Sequence, residues 1–447
     1  MPAGGPPRPQ RPPRPQSPPV PAALGSAASP VSAPPVARPA ERYRELDGHR
    51  GIAAVAIVVF HVYQFCNVAH FLYLGTPAYT VLNSLDAMVP WFFVISAFLL
   101  FEPVARSVIE GQPPISARGF GIRRALRILP AYYVAVVVVW FSRQRTLPGD
   151  WRDLVEHLTF TQVFDGKRIF YTIGPAWSLS VEVFFYLALL IFALGLPRIC
   201  RRLASRKQRI AVLAASTAAL TAASLCWKAW SFWGEHRPTT GSFTTWFGPM
   251  ASFDAFAVGM AVAIFAAAQG GRRPLGSRVR LALRLAALAI VSVAFAIRQA
   301  NAWSGVYFST LCAAGFGGLV AAAVLGPLED RWGRALSCRP LLGLGAISYS
   351  IYLWHEPVLL ALAGWEGLVR QAPGAFVADT AMVLVVSILA GWLSYSLIER
   401  PASQLGRVFG RDGQVIRSAQ AGSPQTTGPL PPGCWPRHPA DRLPAGQ

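Results

Sequence analysis

Asp47, Arg50 and His61 put three chemically active side chains on one stripe of an otherwise apolar helical segment. At 100° per residue Arg50 and His61 lie about 20° apart after roughly three turns, and the 1.5 Å rise separates them by about 16 Å. An arginine at one membrane edge therefore leaves an imidazole near the middle of a ~30 Å hydrocarbon layer. Ionisable groups are expensive at that depth, which points to function. Imidazole titrates close to neutral pH, so His61 suits general acid–base work. Read alone, Arg50 is equally a snorkelling anchor and Asp47 a helix cap.

Three further groups share this pattern. Arg123, Arg124 and Arg127 precede Pro130, and Arg124 and Arg127 face the same way. Two forked guanidiniums match phosphoryl oxygens bidentately, although anchoring at a cytoplasmic surface explains them as well. Ser178, Glu182 and Tyr186 follow at successive i+4 positions, with Glu182 roughly 10 Å inside the opposite membrane edge, near the level of His61. A carboxylate there either compensates the imidazole's charge or bonds a neighbouring helix. Ser348, Tyr352 and His355 share a face before Pro357, so His355 either meets a substrate or lines a hydrated vestibule. Ile398-Glu399-Arg400-Pro401 reads as a Glu–Arg pair that ends the last span.

The elements that carry these residues must be membrane helices. Of 447 residues 53% are hydrophobic and 14% charged, and the mean hydropathy is +0.39. The pattern predicts an all-α polytopic bundle of about ten spans, near 51–71, 85–104, 126–142, 175–196, 210–232, 250–268, 281–297, 304–326, 342–364 and 374–398. Residues 126–142 and 281–297 are short, and the latter carries Arg284, which leaves nine as the alternative. With ten spans most of the 41 Lys and Arg fall on one side, so both termini are expected in the cytoplasm. The outer loop 143–174 mixes both signs, and its stretch 154–164 reads as an amphipathic surface helix or as a solvated loop.

Residues 1–43 and 402–447 are expected to be disordered cytoplasmic tails around one membrane domain, 44–401, with no cleavable signal. The net charge of +20 resides in juxtamembrane arginines, which topology and anionic lipid explain without nucleic acid. Six cysteines form no CxxC pair, and there is no GxGxxG before a helix, no P-loop, no HExxH and no GxSxG. Neither a bound metal nor a permanently bound cofactor is expected.

Leu46-Asp47-Gly48-His49-Arg50-Gly51 with His61, Trp91-Phe-Phe-Val-Ile-Ser96, Arg124-x-x-Arg127, Trp177-Ser-Leu-Ser-Val-Glu182 and Tyr352-Leu-Trp-His355-x-Pro357 occur in order across about 44–401. Together they resemble the membrane acyltransferase-3 family. The resemblance implies a ten-helix enzyme of the bacterial cell membrane. Such an enzyme moves an acyl group, commonly acetyl, from cytosolic acyl-CoA to a hydroxyl on a glycan or glycosylated metabolite. The family's arginine–histidine motif falls on Arg50 and His61, its paired arginines on Arg124 and Arg127, and its acidic residue on Glu182. His49 replaces the usual Leu, and Ala97 the usual Gly, which narrows a helix contact. Larger members add an extracytoplasmic domain that the C-terminal tail here is too short to encode.

The implied mechanism docks the CoA head on Arg123, Arg124, Arg127 and Arg50, and threads the thioester to His61. There His61 deprotonates the acceptor hydroxyl, Glu182 steadies the imidazolium, and Asp47, Ser178, Tyr352 and His355 contact substrate. An acyl-histidine route stays open. Two rivals are a proton-coupled transporter, which midplane His and Glu also suit, and a scaffold that recruits partners through its Pro-rich tail. The halves show no convincing repeat. The composition, heavy in Ala, Arg, Gly and Pro, suits a GC-rich bacterial genome.

Overall fold

The computed structural model describes residues 43–67, 72–144, 148–203, 205–239, 241–270, 274–326, 330–365, 368 and 373–409. Every regular element among them is helical, and nine helices are long and apolar enough to cross a membrane. The protein is an all-α polytopic membrane protein. Nine of the ten expected spans are found, including both short ones. The segment 342–364 instead breaks into α13 (Arg339–Ala346) and α14 (Ser348–Gly364) at Ile347, so the 17 residues of α14 are shorter than any of those nine helices.

Helix α1 (Arg44–Cys66) carries Glu45 and Asp47 in its first turn, where a carboxylate complements the helix dipole. Its first half lies directly on α12 (Arg331–Leu336) and α13. A Cβ at Gly48 would overlap the Leu336 carbonyl, and one at Gly345 the Asp47 carbonyl, so glycine is what permits this approach. The approach fixes the direction in which Arg50 leaves the helix.

Helices α3 (Met88–Glu110) and α9 (Pro249–Gln269) pack by the same device, with Gly259 against the Val94 carbonyl and the methyl of Ala97. The extra methyl of Ala97 is thus met by a residue without one. Around them α1, α4 (Ala117–Arg143), α6 (Trp177–Cys200), α11 (Ala302–Val324) and α14 contribute to a continuous buried core. Helices α7 (Arg206–Ala229), α10 (Ser277–Ile297) and α15 (Pro373–Ser394) form an outer layer. They leave side chains such as Leu285, Val293, Leu389 and Trp392 more than half exposed, as lipid contact requires.

The two buried arginines of α10 are paired. Arg284 donates to Glu45 (2.8 Å) and Asp330 (2.6 Å), and Arg280 reaches the same two carboxylates (3.6 and 3.0 Å). A buried cation with two carboxylate partners is tolerated, so Arg284 does not break its span.

Two short helices, α2 (Pro77–Asn83) and α5 (Trp151–Leu158), cover the end of the bundle that the C-terminus of α1 reaches. The expected surface helix over 154–164 is α5 followed by a 3-10 turn at Gln162–Phe164. It is less of a surface element than its pattern implies: Asp153 and His157 are fully buried, with the His157 carbonyl accepting the Tyr132 hydroxyl (2.9 Å). Nearby, the Lys167 backbone N–H and the Arg168 guanidinium hold the Asp165 carboxyl below its usual range. At the other end, Ile398–Pro401 does not stop the chain. Tyr395–Glu399 forms a π turn that continues into α16 (Arg400–Phe409), and Glu399 accepts from Ser350 (3.0 Å). Residues 402–409 are therefore helical, although the sequence assigns them to the tail. Residues 1–42 and 410–447 lie outside the described residues, as does Cys434.

Candidate active site

Three adjoining cavities run through the core. The first, of about 620 Å³, opens where α1, α4 and α16 meet, and is lined by Asp47, Arg50, Arg123, Arg124, Arg127 and Glu399 among others. The second is a waist of only about 60 Å³ between Arg50, Ser178, Glu182, Ser348, Tyr349 and Tyr352. The third, of about 590 Å³, holds His61 and Gln64 of α1 with Asp86, Arg298, Tyr352 and Glu356. Arg50 belongs to the first two cavities and Tyr352 to the last two. The three-turn offset on α1 thus places Arg50 and His61 on opposite sides of the waist.

His61 Nδ1 lies 2.9 Å from the Ile57 carbonyl and 3.2 Å from Nε2 of His355. His355 is fully buried, and its Nδ1 lies 2.7 Å from the Tyr352 carbonyl. These partners assign the tautomers. A carbonyl only accepts, so His355 carries its proton on Nδ1 and offers Nε2 as a lone pair. His61 then carries its own proton on Nδ1, shared between Ile57 O and His355 Nε2. Its Nε2 is left as the basic atom of the chamber. Pro357 follows His355 and Glu356 in the same turn, and Glu356 accepts from the Gly174 N–H (2.5 Å), tying α14 to the start of α6.

The waist is closed by hydroxyls. Ser178 Oγ and Tyr352 OH lie 2.7 Å apart, and both approach the Pro175 carbonyl, at 3.1 and 3.0 Å. Ser348 Oγ, also on the waist, is fully buried and has no hydrogen-bond partner among the described residues. Buried hydroxyls are rarely left in that state.

Glu182 does not line the chamber of His61. It accepts from the Tyr186 hydroxyl (2.5 Å) and faces the charges of Arg50 and Arg124 across the waist. The sequence expects it beside the imidazole; the structure gives that place to His355. The i+4 spacing of Glu182 and Tyr186 suffices for their own bond, which satisfies the carboxylate locally. Asp47 and Arg50 approach only to 4.0 Å. Both line the basic cavity with Arg123, Arg124 and Arg127, so the four arginines expected around an anionic ligand gather at one end, and Asp47, expected on the substrate, lies among them. Ser178 and Tyr352 meet at the waist, where Tyr352 also borders the histidine chamber, and His49 is buried against Trp91.

Four charged residues that the motifs do not mark line the third cavity or a pocket of about 190 Å³ that adjoins it. Arg298 grips Asp86 with both nitrogens (2.5 and 2.7 Å), and Lys228 of α7 donates to Asp254 of α9 (2.6 Å). The signal that finds them is the one that found His61: ionisable residues within or at the ends of apolar helices.

The acyltransferase domain family matches residues 43–395. A Komagataeibacter xylinus protein described as a membrane-bound transacylase, BcsY, is 29% identical over 381 residues, 81% of this chain and 83% of that protein. Bacillus subtilis YrhL, described as a peptidoglycan O-acetyltransferase, is 24% identical over 395 residues, 82% of this chain and 56% of its own length. The O-acetyltransferase OatA of Staphylococcus aureus is 22% identical over 378 residues, 81% of this chain and 57% of its own. The chain thus spans little more than half the length of the last two. No solved structure matches. The match over most of the chain, on a bundle of helices long and apolar enough to cross a membrane, establishes that this protein belongs to the acyltransferase domain family and is a membrane acyltransferase.

Proposed function

We propose that the protein is a bacterial plasma-membrane O-acyltransferase with both termini in the cytoplasm. It transfers an acyl group, in the simplest case acetyl, from cytosolic acyl-CoA to a hydroxyl of a glycan or glycosylated metabolite. The observation that carries this reading is the His61–His355 pair in a chamber set apart by a narrow waist from a cluster of arginines. The arginine chamber suits the phosphates of CoA, which planar guanidiniums match bidentately. The thin pantetheine arm is the part of that donor able to enter the waist, past Arg50 and between Ser178 and Tyr352. CoA acts as a cosubstrate and leaves after each turnover.

In the histidine chamber His61 Nε2 accepts the proton of the acceptor hydroxyl as its oxygen attacks the thioester carbonyl carbon. The new C–O bond forms, the C–S bond breaks, and the departing thiolate recovers the proton from the imidazolium. His355 Nε2 receives the His61 Nδ1–H throughout, so the charge that develops on the ring meets a fixed acceptor. Glu182, on the waist with Arg50, balances the arginines that hold the donor.

The relatives described as O-acetyltransferases support this reading over a proton-coupled carrier, as does membership of an acyltransferase family. The test feeds isotopically labelled acyl precursors to cells with the wild-type gene, a deletion or His61→Ala, and follows glycans and secreted metabolites by mass spectrometry. A labelled acyl mass confined to wild type is expected, with the variant protein still in the membrane. Normal acylation by His61→Ala rejects the assignment.

A further inference from the structure

The histidine chamber has an annex of about 190 Å³ that runs between α3, α9 and α11 and shares Asp86, Trp177, Phe247 and Arg298 with it. Three features give it the chemistry of a binding site. Its walls are aromatic: Trp177 meets Phe247 edge to face at 4.6 Å, and Trp246 is oriented by its indole N–H on the Pro238 carbonyl (2.8 Å). Its rim is the Arg298–Asp86 pair, which is locked in place because Arg298 also donates to the Asn83 carbonyl and lies 4.2 Å over the Phe308 ring. Its floor is Lys228, only 1% exposed, with partners for all three ammonium protons on Asp254, Ser309 (3.2 Å) and Thr310 (2.8 Å).

The charge count decides what this annex takes. Each cation is already matched to a carboxylate, so an anionic ligand would enter apolar walls without a free countercharge, at a desolvation cost. A neutral ring with many hydroxyls loses nothing on that account. Its apolar face covers the aromatic rings while its hydroxyls bond the outer lone pairs and protons of the Arg298–Asp86 pair. Pairs this well anchored are also rigid, so little ordering entropy opposes binding.

We propose that this annex is the acceptor subsite, and that it selects an uncharged, hydroxyl-rich sugar ring and presents a neighbouring hydroxyl to His61. The inference rests on the reading of the protein as an O-acyltransferase, with Trp246 and the Arg298–Asp86 rim as the residues that set acceptor specificity.

The experiment uses the full chain in lipid nanodiscs with labelled acetyl-CoA. It offers a panel of neutral mono- and disaccharide glycosides and their uronate counterparts. Wild type is expected to acetylate neutral glycosides in preference to the matching uronates. Trp246→Ala is expected to raise the KM for the acceptor about tenfold while kcat changes less than about threefold. Trp246→Phe, which keeps a ring in place, is expected to restore most of the affinity, a rescue that a merely structural role would not show. A preference for uronates, or an unchanged acceptor KM in an active Trp246→Ala protein, overturns the subsite and leaves the acyltransferase reading standing. Should Trp246→Ala fail to fold, the same KM comparison is made with Ser252→Ala, which lines the annex with a small side chain; an unchanged acceptor KM there overturns the subsite too. Failure of wild type to acetylate any member of the panel overturns the acyltransferase reading for sugars, and the subsite with it.

Discussion

At the scale of single residues, the site depends on a hydrogen bond between two imidazoles that lie 294 positions apart. His61 and Arg50 are legible in the sequence because one helix fixes their relative position by periodicity alone. The same holds for Ser178 with Glu182 and for Tyr352 with His355. That His355 meets His61 is not legible, since their contact is set by how α14 crosses α1, and no local pattern encodes that crossing. Glu182 lies on the waist and not beside His61 for the same reason: periodicity gives the face of α6 that carries it and not the neighbour which that face meets. The pair makes a specific claim about kcat. His355→Phe preserves bulk but removes the acceptor for the His61 Nδ1–H. We expect kcat to fall roughly ten- to a hundredfold, the worth of one hydrogen bond to a charged group, with the KM for acyl-CoA unchanged. His355→Gln, whose amide oxygen accepts a proton, should recover part of that loss. Steady-state kinetics on the two variants, normalised to folded protein, distinguish this from simple destabilisation, which would lower the amount of enzyme and leave kcat intact.

Among the elements, apolar spans announce themselves, but breaks in them do not. The segment 342–364 reads as one helix, yet the turn at Ile347 between α13 and α14 lets Gly345 lie on the Asp47 carbonyl. Small residues at 343, 345 and 346 give no hint of where the chain turns. The buried charges are legible as charges but not as pairs, because Lys228 and Asp254 come from different helices and meet only after α7 packs on α9. Their coupling is testable by unfolding. Lys228→Met alone strands a buried carboxylate and is expected to cost about 3–5 kcal/mol, whereas Lys228→Met combined with Asp254→Leu should regain most of it. Thermal unfolding of the detergent-solubilised variants measures both. Equal destabilisation by the single and double changes would show that the pair is not coupled.

For the whole molecule, composition alone places the chain in a membrane, and paired motifs across its length identify its family. The three cavities are beyond any sequence pattern, since each is walled by four or more helices. Their order predicts a division of labour. Arg124→Ala and Arg127→Ala, at the basic end, are expected to raise the KM for acyl-CoA about tenfold or more each while leaving the acceptor KM unchanged. Donor and acceptor titrations on each variant check this, and a shift in the acceptor KM instead would mean that the two ends do not act separately. The waist between those ends has a second consequence. Where the membrane carries a proton gradient, an open aqueous bore lined with arginines at one end and imidazoles at the other would discharge it. The Ser178–Tyr352 closure on the Pro175 carbonyl narrows the bore to about 60 Å³ at that level, against about 620 and 590 Å³ on its two sides. A bound substrate arm would fill the same gap as it opened it, so the resting and the occupied enzyme would both act as insulators.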